Sequence, residues 1–186
     1  MMGLPGTIGG AVRGNAGAYG TETKDVFLNA ILFNSEKGLF EADEKYLNFS
    51  YRTSSVKTSK DIVIKVFLKL KKDEALSKTG QAEATDIVKN RISKQPKGKC
   101  SGSFFKNPGA DLKAGYLLEQ CGCKGLTVGG AQVSPQHANW IMNLGTATQK
   151  DVLELSEMMQ ERVKSRFNVD LEREVQFMDA TGHLTN

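Results

Sequence analysis

The chain has 186 residues, of which 39% are hydrophobic and 25% charged, with 4 prolines and 9 phenylalanines; this excludes a disordered or fibrous chain and allows one fair-sized domain or two small ones. The longest apolar run, Ile62 to Leu70, is broken by Lys65 and Lys69, so no stretch approaches the ~18 uncharged residues of a membrane span. Lysines and arginines number 25 against 21 acidic residues, and the resulting net charge of +4 suits an anionic small molecule better than nucleic acid.

In chain order, Gly3, Gly6, Gly9, Gly10, Gly14, Gly17 and Gly20 predict a loop whose main-chain N–H groups approach a ligand closely. It matches neither GxGxxG after a strand nor the phosphate loop ending in Gly-Lys-Ser/Thr, which leaves ligand loop and structural turn cluster both open. An apolar strand is expected over Val26 to Leu32, and Ser35 to Gly38 turns into a second strand or meander. Tyr46 to Tyr51 alternates, with Leu47, Phe49 and Tyr51 on one face; Ile62 to Leu70 alternates likewise, with Ile62, Ile64, Val66, Leu68 and Leu70 on one side. Helical spacing follows over Ala82 to Lys94 through Ile87, Val88 and Ile92, and Gln95 to Ser101, without periodicity, marks a domain boundary. Beyond it come a helix over Ala110 to Cys121 and short strands over Val128 to Val133 and Ala138 to Asn143. Thr148 to Phe167 is an amphipathic helix with Val152, Leu155, Met159, Val163 and Phe167 on its apolar stripe, and Val169 to Phe177 is a terminal strand. The fold class is α+β, with a sheet-rich first half and a mixed α/β second half.

Cys100, Cys121 and Cys123 cannot all pair with one another, and with His137 and His183 they form no CxxC or Cys/His spacing for zinc. Reduced thiols, a cytoplasmic location and no metal are expected. Met1 to Gly6 has no basic stretch followed by a long apolar segment, so no signal peptide is expected. In Ser101 to Pro108 small residues expose a hydroxyl beside Phe104 and Phe105, although a turn with two core phenylalanines explains the segment equally well. Arg52 could clamp a carboxylate or phosphate bidentately, or be merely solvated. Strand alternation sets Glu172 and Glu174 on one face and Arg173 on the other, as an ordinary exposed edge also would.

The wording and order of these segments resemble one family. Gly3 to Ala11 with Asn15 to Gly20 resembles the flavin-binding segment of the UDP-N-acetylenolpyruvoylglucosamine reductase family, and Tyr51-Arg52-Thr53-Ser54 its Tyr-Arg-x-Ser motif. Gly102 to Pro108 resembles its Gly-Ser-Phe-Phe-Lys-Asn-Pro motif, and Leu117 to Gly130, Val133 to Asn143 and Leu171 to Val175 continue the likeness. The resemblance implies a two-subdomain FAD-binding unit with a mixed sheet, followed by a smaller α/β substrate domain. Residues 1–93 would be the second FAD-binding subdomain, 94–168 the substrate-binding domain, and 169–186 a C-terminal strand returning to the FAD domain. The chain looks like a C-terminal piece that opens at the glycine loop, without a preceding FAD subdomain, so that Val175 and Phe177 would lack their usual burial. The short stretch between Arg52 and Lys94 resembles the class without a tyrosine-bearing loop over the substrate.

The activity so implied is reduction of UDP-N-acetylglucosamine enolpyruvate to UDP-N-acetylmuramate, with FAD and NADPH as cofactors, in peptidoglycan precursor synthesis. The alternative is a non-catalytic fragment that binds the nucleotide but keeps no flavin. The resemblance assigns flavin contacts to Gly3, Pro5, Gly6, Thr7, Gly9, Gly10, Asn15, Ala18, Tyr19 and Gly20. Substrate contacts fall to Tyr51, Arg52, Lys94, Asn107, Lys124 and His137, the last standing where some relatives have glutamine. Arg52 would stabilise the enolate-like charge that builds on the substrate carboxylate, and Ser103 would protonate the α-carbon. Because a serine hydroxyl is a feeble acid, nearby cations are needed, and Lys94 and Lys106 are the candidates. Glu174 matches the catalytic glutamate, which helps only when protonated or through water and therefore needs a raised pKa.

Overall fold

In the computed structural model, which describes residues 6–72 and 74–185, the glycine-rich opening is not a loop throughout. Thr7 accepts a hydrogen bond at Oγ1 from the Gly10 N–H, 3.1 Å, and caps helix α1 (Ile8–Gly14), which buries Val12 and ends where Asn15 turns left-handed at φ 42°. Strands β1 (Gly17–Ala18) and β2 (Thr21–Glu22) then form a hairpin turning at Tyr19 and Gly20, φ 55° and 80°.

Residues divide into two units, up to Lys89 and from Asn90, and the boundary falls within helix α3 (Glu74–Lys94). The first unit is built on an antiparallel sheet of β3 (Phe27–Asn34), β4 (Gly38–Ala42) and β5 (Ile62–Leu68) in the order β4-β3-β5. Phe27, Ala30, Leu32 and Ala42 supply its core, closed by Val12, Leu47 and Val56. The alternation expected along β5 does not survive pairing. Ile31 opposes Lys65 but Leu32 opposes Val63, so Ile64 is an extra residue at a bulge. Val63 and Val66 pack on the core, whereas Ile62 and Ile64 face outward, each 57% exposed.

Tyr46 to Tyr51 is not a strand either. Asp43 accepts the Tyr46 N–H at 2.8 Å and caps a short helix, α2 (Glu44–Leu47), which ends in left-handed Asn48. The two caps override the alternation: Leu47 is buried, Phe49 packs on the core edge and Tyr51 is exposed.

The second unit holds α4 (Ala114–Gln120), a three-stranded antiparallel sheet of β6 (Thr127–Val128), β7 (Ala131–Val133) and β8 (Ile141–Asn143), and the long helix α5 (Gln149–Phe167). The single strand expected over Val128 to Val133 is a hairpin turning at Gly129-Gly130. Thr148 and Asp151 form a reciprocal capping box at the start of α5, and Leu155, Met159 and Val163 of the apolar stripe are fully buried.

Residues 169–177 are not a continuous strand. They meet Phe104 to Lys106 through one antiparallel bridge, Phe105 to Arg173, and through the Lys106 N–H to Glu172 and Glu174 N–H to Phe104 carbonyl bonds, both 2.8 Å. Leu171 and Phe177 are buried in the core of this second unit, and Val175 packs against it. The expected loss of burial is therefore overturned at Phe177, whose ring lies 6.3 Å from that of Phe104, while Val175 is half-buried. A short pair, β9 (Phe177–Met178) with β10 (Leu184–Thr185), follows. Among the described residues no helix is long and apolar enough to cross a membrane.

Candidate functional site

In the first unit the side chains that point to chemistry gather around Arg52. The turn closed by Ser50 and Thr53 holds Arg52 at φ 56°, a conformation disfavoured for residues with a Cβ. Its Nη2 donates to the Gly17 carbonyl at 2.9 Å, Nη1 lies 3.9 Å from Glu22 Oε1, and the guanidinium sits 5.0 Å from the centre of the Tyr51 ring. Glu22 is in turn held by Asn15, whose Nδ2 donates to Glu22 Oε2 at 2.9 Å and to the Ser50 carbonyl at 3.0 Å. The Lys24 N–H completes the set, donating to Asn15 Oδ1 at 3.1 Å. Arg52 is thus tied to the β1–β2 hairpin on one side and to Tyr51 on the other.

Of the expected flavin contacts, Gly3 and Pro5 lie outside the described residues. Gly6, Thr7, Gly9 and Gly10 surround the start of α1, and Ala18, Tyr19 and Gly20 form the hairpin turn, with the Tyr19 side chain 65% exposed. Asn15 differs from these. It is completely buried and both amide protons are engaged internally, so its side chain shapes the loop instead of facing a ligand.

In the second unit a cleft of about 430 Å³ is walled by Ser103, Asn107, Lys113, Tyr116, Glu119 and His137, among others. Ser103 and Asn107 of one sequence block and His137 of another therefore line the same cleft. Ser103 is exposed and follows Gly102, which has φ 88°. Asn107 Oδ1 accepts the Ala114 N–H at 3.1 Å, which leaves its Nδ2 hydrogens directed elsewhere. Gly115 gives the imidazole its room, since a Cβ there would come within 2.9 Å of His137 Cε1.

His137 Nδ1 accepts the Asn139 N–H at 3.1 Å, so the neutral ring carries its proton on Nε2. Burial holds the imidazole pKa below its ordinary value and the Lys124 charge lowers it further, with Glu119 opposing. Lys124 itself pairs with Glu119 Oε1 at 2.6 Å.

Lys94 is exposed at the end of α3; the preceding Ser93 carbonyl accepts from Gln136 Nε2 at 2.9 Å, which links it to the loop carrying His137. Lys106 pairs with Glu172 and is committed to that carboxylate rather than to Ser103. The half-buried Glu174 lies in the segment bonded to Phe104, next in sequence to Ser103. Glu172 and Glu174 have different surroundings, while Arg173 turns inward to give Nε to buried Ser156 at 3.0 Å.

Asn139 was missed by sequence reasoning. It is 4% exposed; its Oδ1 accepts the Phe105 N–H at 2.9 Å and its Nδ2 donates to the Phe105 carbonyl at 2.8 Å. No local pattern announces it, because its partner is 34 residues away in sequence. The half-buried Cys121 and buried Cys123 carry no such interest. Burial raises the pKa of Cys121, and it pushes Cys123 up to about 11, away from nucleophilic use.

Comparison with known proteins bears on both units. Residues 94–178 match the family described as UDP-N-acetylenolpyruvoylglucosamine reductase, C-terminal domain. The chain is 40% identical over 177 residues to the UDP-N-acetylenolpyruvoylglucosamine reductase of Thermotoga maritima, covering 94% of this chain and 61% of the relative. It is 42% identical over 179 residues to the enzyme of the same name from Desulforamulus reducens, covering 95% and 57%. The crystal structure of the UDP-N-acetylenolpyruvylglucosamine reductase from Thermus caldophilus superimposes with a TM-score of 0.77 at 37% identity, covering 92% of this chain and 60% of that one. The chain thus spans less than two thirds of the length of these relatives.

Proposed function

Because the chain belongs to the UDP-N-acetylenolpyruvoylglucosamine reductase family, we propose that it serves the reduction of UDP-N-acetylglucosamine enolpyruvate to UDP-N-acetylmuramate, with FAD and NADPH, in cytoplasmic peptidoglycan precursor synthesis. In this reading residues 1–93 contribute to the flavin-binding part and 94–168 bind the substrate. The observation that carries it is the convergence of Ser103, Asn107, His137 and Lys113 on one cleft.

The chemistry of that cleft suits the reaction. Charge grows on the substrate carboxylate during reduction, and fixed donors aimed at those oxygens lower the barrier. The Asn107 Nδ2 and His137 Nε2 hydrogens are neutral donors of that kind, and Lys113 brings positive charge suited to a diphosphate, whereas Lys124 is paired with Glu119. Ser103 gives its hydroxyl proton to the α-carbon, its weak acidity offset by proximity to the bound substrate. Glu174 assists when protonated, so that it donates to the carboxylate rather than repelling it.

Residues 6–20 fit a large, flat, anionic cofactor. Exposed Ile8 and Tyr19 offer apolar surface beside the backbone of Gly9, Gly10 and Gly20, and Arg52 stands next to the same hairpin as a fixed positive charge. When bound, the flavin supplies the hydride that NADPH has delivered to it.

The test begins with the visible spectrum of the purified chain after addition of FAD and removal of the excess. A retained yellow chromophore, bleached by NADPH and restored by the enolpyruvyl substrate, supports the reading. Ser103→Ala should then stop the restoration while leaving the bleaching intact, and loss of both or of neither refutes the role given to Ser103. A colourless protein that still binds UDP supports instead the nucleotide-binding fragment.

A further inference from the structure

Ser103 is exposed and follows a glycine at φ 88°, so its hydroxyl depends for its position on the residues after it. Those residues, Phe104 and Phe105, are held on one side by Asn139. Its main-chain carbonyl accepts the Phe104 N–H at 2.8 Å, and its side-chain amide spans Phe105, accepting from the N–H at 2.9 Å and donating to the C=O at 2.8 Å. The same residue gives its own N–H to His137 Nδ1 at 3.1 Å. One buried side chain therefore imitates a strand rung beside Ser103, and its backbone fixes the tautomer of the imidazole that lines the same cleft.

We propose that Asn139 is a positioning residue, which sets the Ser103 hydroxyl against the substrate α-carbon by clipping Phe105; this rests on the reductase reading given above. A neutral carboxamide presents one donor and one acceptor side by side, as this clip requires. A carboxyl group of the same shape does so only while protonated. Once ionised it sets an anion against the Phe105 carbonyl oxygen, and the rung is lost.

Asn139→Asp thus converts the clip into a titratable one. In the full chain loaded with FAD, two rates are followed across roughly pH 5 to 9, bleaching by NADPH and restoration by the enolpyruvyl substrate. Other titratable groups near the site are His137, Lys113, Tyr116 and Glu119 on the cleft, Lys124 behind Glu119, and Lys106, Glu172 and Glu174 in the adjoining segments. All are present in the parent chain, so the difference between the two profiles isolates position 139.

The expected result is a restoration rate that in Asn139→Asp falls roughly 10- to 100-fold relative to the parent as pH rises, with bleaching unchanged, because displacing a reacting group by about 1 Å costs that order. In a Ser103→Ala background the same substitution should add nothing. Parallel loss of both rates, or a profile superimposable on the parent's, overturns the inference. A parent chain that bleaches but is never restored removes the reductase reading and the inference with it; a parent that turns over beside an indifferent variant removes the inference alone. Should Asn139→Asp not fold, Asn139→Gln keeps the amide but sets it one methylene farther out. It should then slow restoration selectively and without pH dependence, and an unchanged restoration rate would overturn the inference.

Discussion

Replacing Asn15 tests whether this residue is an internal strut of the first unit. Its amide makes three hydrogen bonds at 2.9, 3.0 and 3.1 Å, to Glu22, the Ser50 carbonyl and the Lys24 N–H, and the residue is fully buried. At about 1 kcal/mol net for each bond, Asn15→Ala loses about 3 kcal/mol. Alanine must also adopt φ 42°, which adds about 1 kcal/mol and brings the total to about 4 kcal/mol. Asn15→Gly loses the same three bonds without the left-handed penalty, so it should fall about 1 kcal/mol short of alanine, less its own gain in unfolded-state entropy. Hydrogen exchange of the β3 ladder amides reads the opening of this unit directly, and about 4 kcal/mol corresponds to roughly a thousandfold faster exchange. Trp140, the only tryptophan, reports the second unit separately by fluorescence. A loss below about 1 kcal/mol for Asn15→Ala would refute the reasoning, because three engaged buried groups cannot be removed so cheaply.

Gly115→Ala places a Cβ 2.9 Å from His137 Cε1, so the ring must shift and strain its bond to the Asn139 N–H. A loss of about 1–3 kcal/mol is expected from Trp140-detected unfolding, together with weaker UDP binding in calorimetry; unchanged affinity would show that His137 does not shape the cleft. The lowered pKa of His137 makes stability depend on pH with a definite sign. Between the folded value and the ordinary 6.5 the unfolded chain binds more protons, so stability rises with pH through that window and levels off above it. His137→Gln should remove this slope from denaturant titrations of the second unit, and Lys124→Ala should shrink it, since Lys124 is one of the causes of the shift. A slope that survives in His137→Gln would locate the titrating group elsewhere.

The elements legible in the sequence were those whose pattern reports burial directly. β3 is an apolar run that includes the buried Ala30 and Leu32, legible as a strand though not by face, whereas α5 repeats Leu155, Met159 and Val163 at helical spacing, so its face could be read without knowing its partner. Patterns failed where a local hydrogen bond or a distant pairing decided the outcome. Tyr46 to Tyr51 alternates like a strand, yet Asp43 caps a helical turn before the alternation can be used. The bulge at Ile64 depends on the register of β3, which nothing within β5 encodes. Helix α1 was hidden because Gly9, Gly10 and Gly14 each cost about 1 kcal/mol in helix propensity, and only the Thr7 cap and buried Val12 argue for it.

The same division runs through the site. Asn15 and Asn107 stand in motifs of equal clarity, and both were expected to touch ligand. In the fold they differ by how much of the amide is already used: Asn15 is buried with both protons engaged, whereas Asn107 is half-buried and only its Oδ1 is engaged, accepting from the Ala114 N–H. Lys106 was likewise a candidate cation for Ser103, but its charge goes to Glu172 across the Phe105–Arg173 bridge. Residue type and spacing name the groups capable of a chemistry; their existing hydrogen bonds decide which remain available for it. Asn139 completes the argument from the other direction. It belongs to no chemical motif, and its bonds to Phe105 put the Ser103 segment on the cleft wall, where an isolated serine hydroxyl would otherwise have no fixed address.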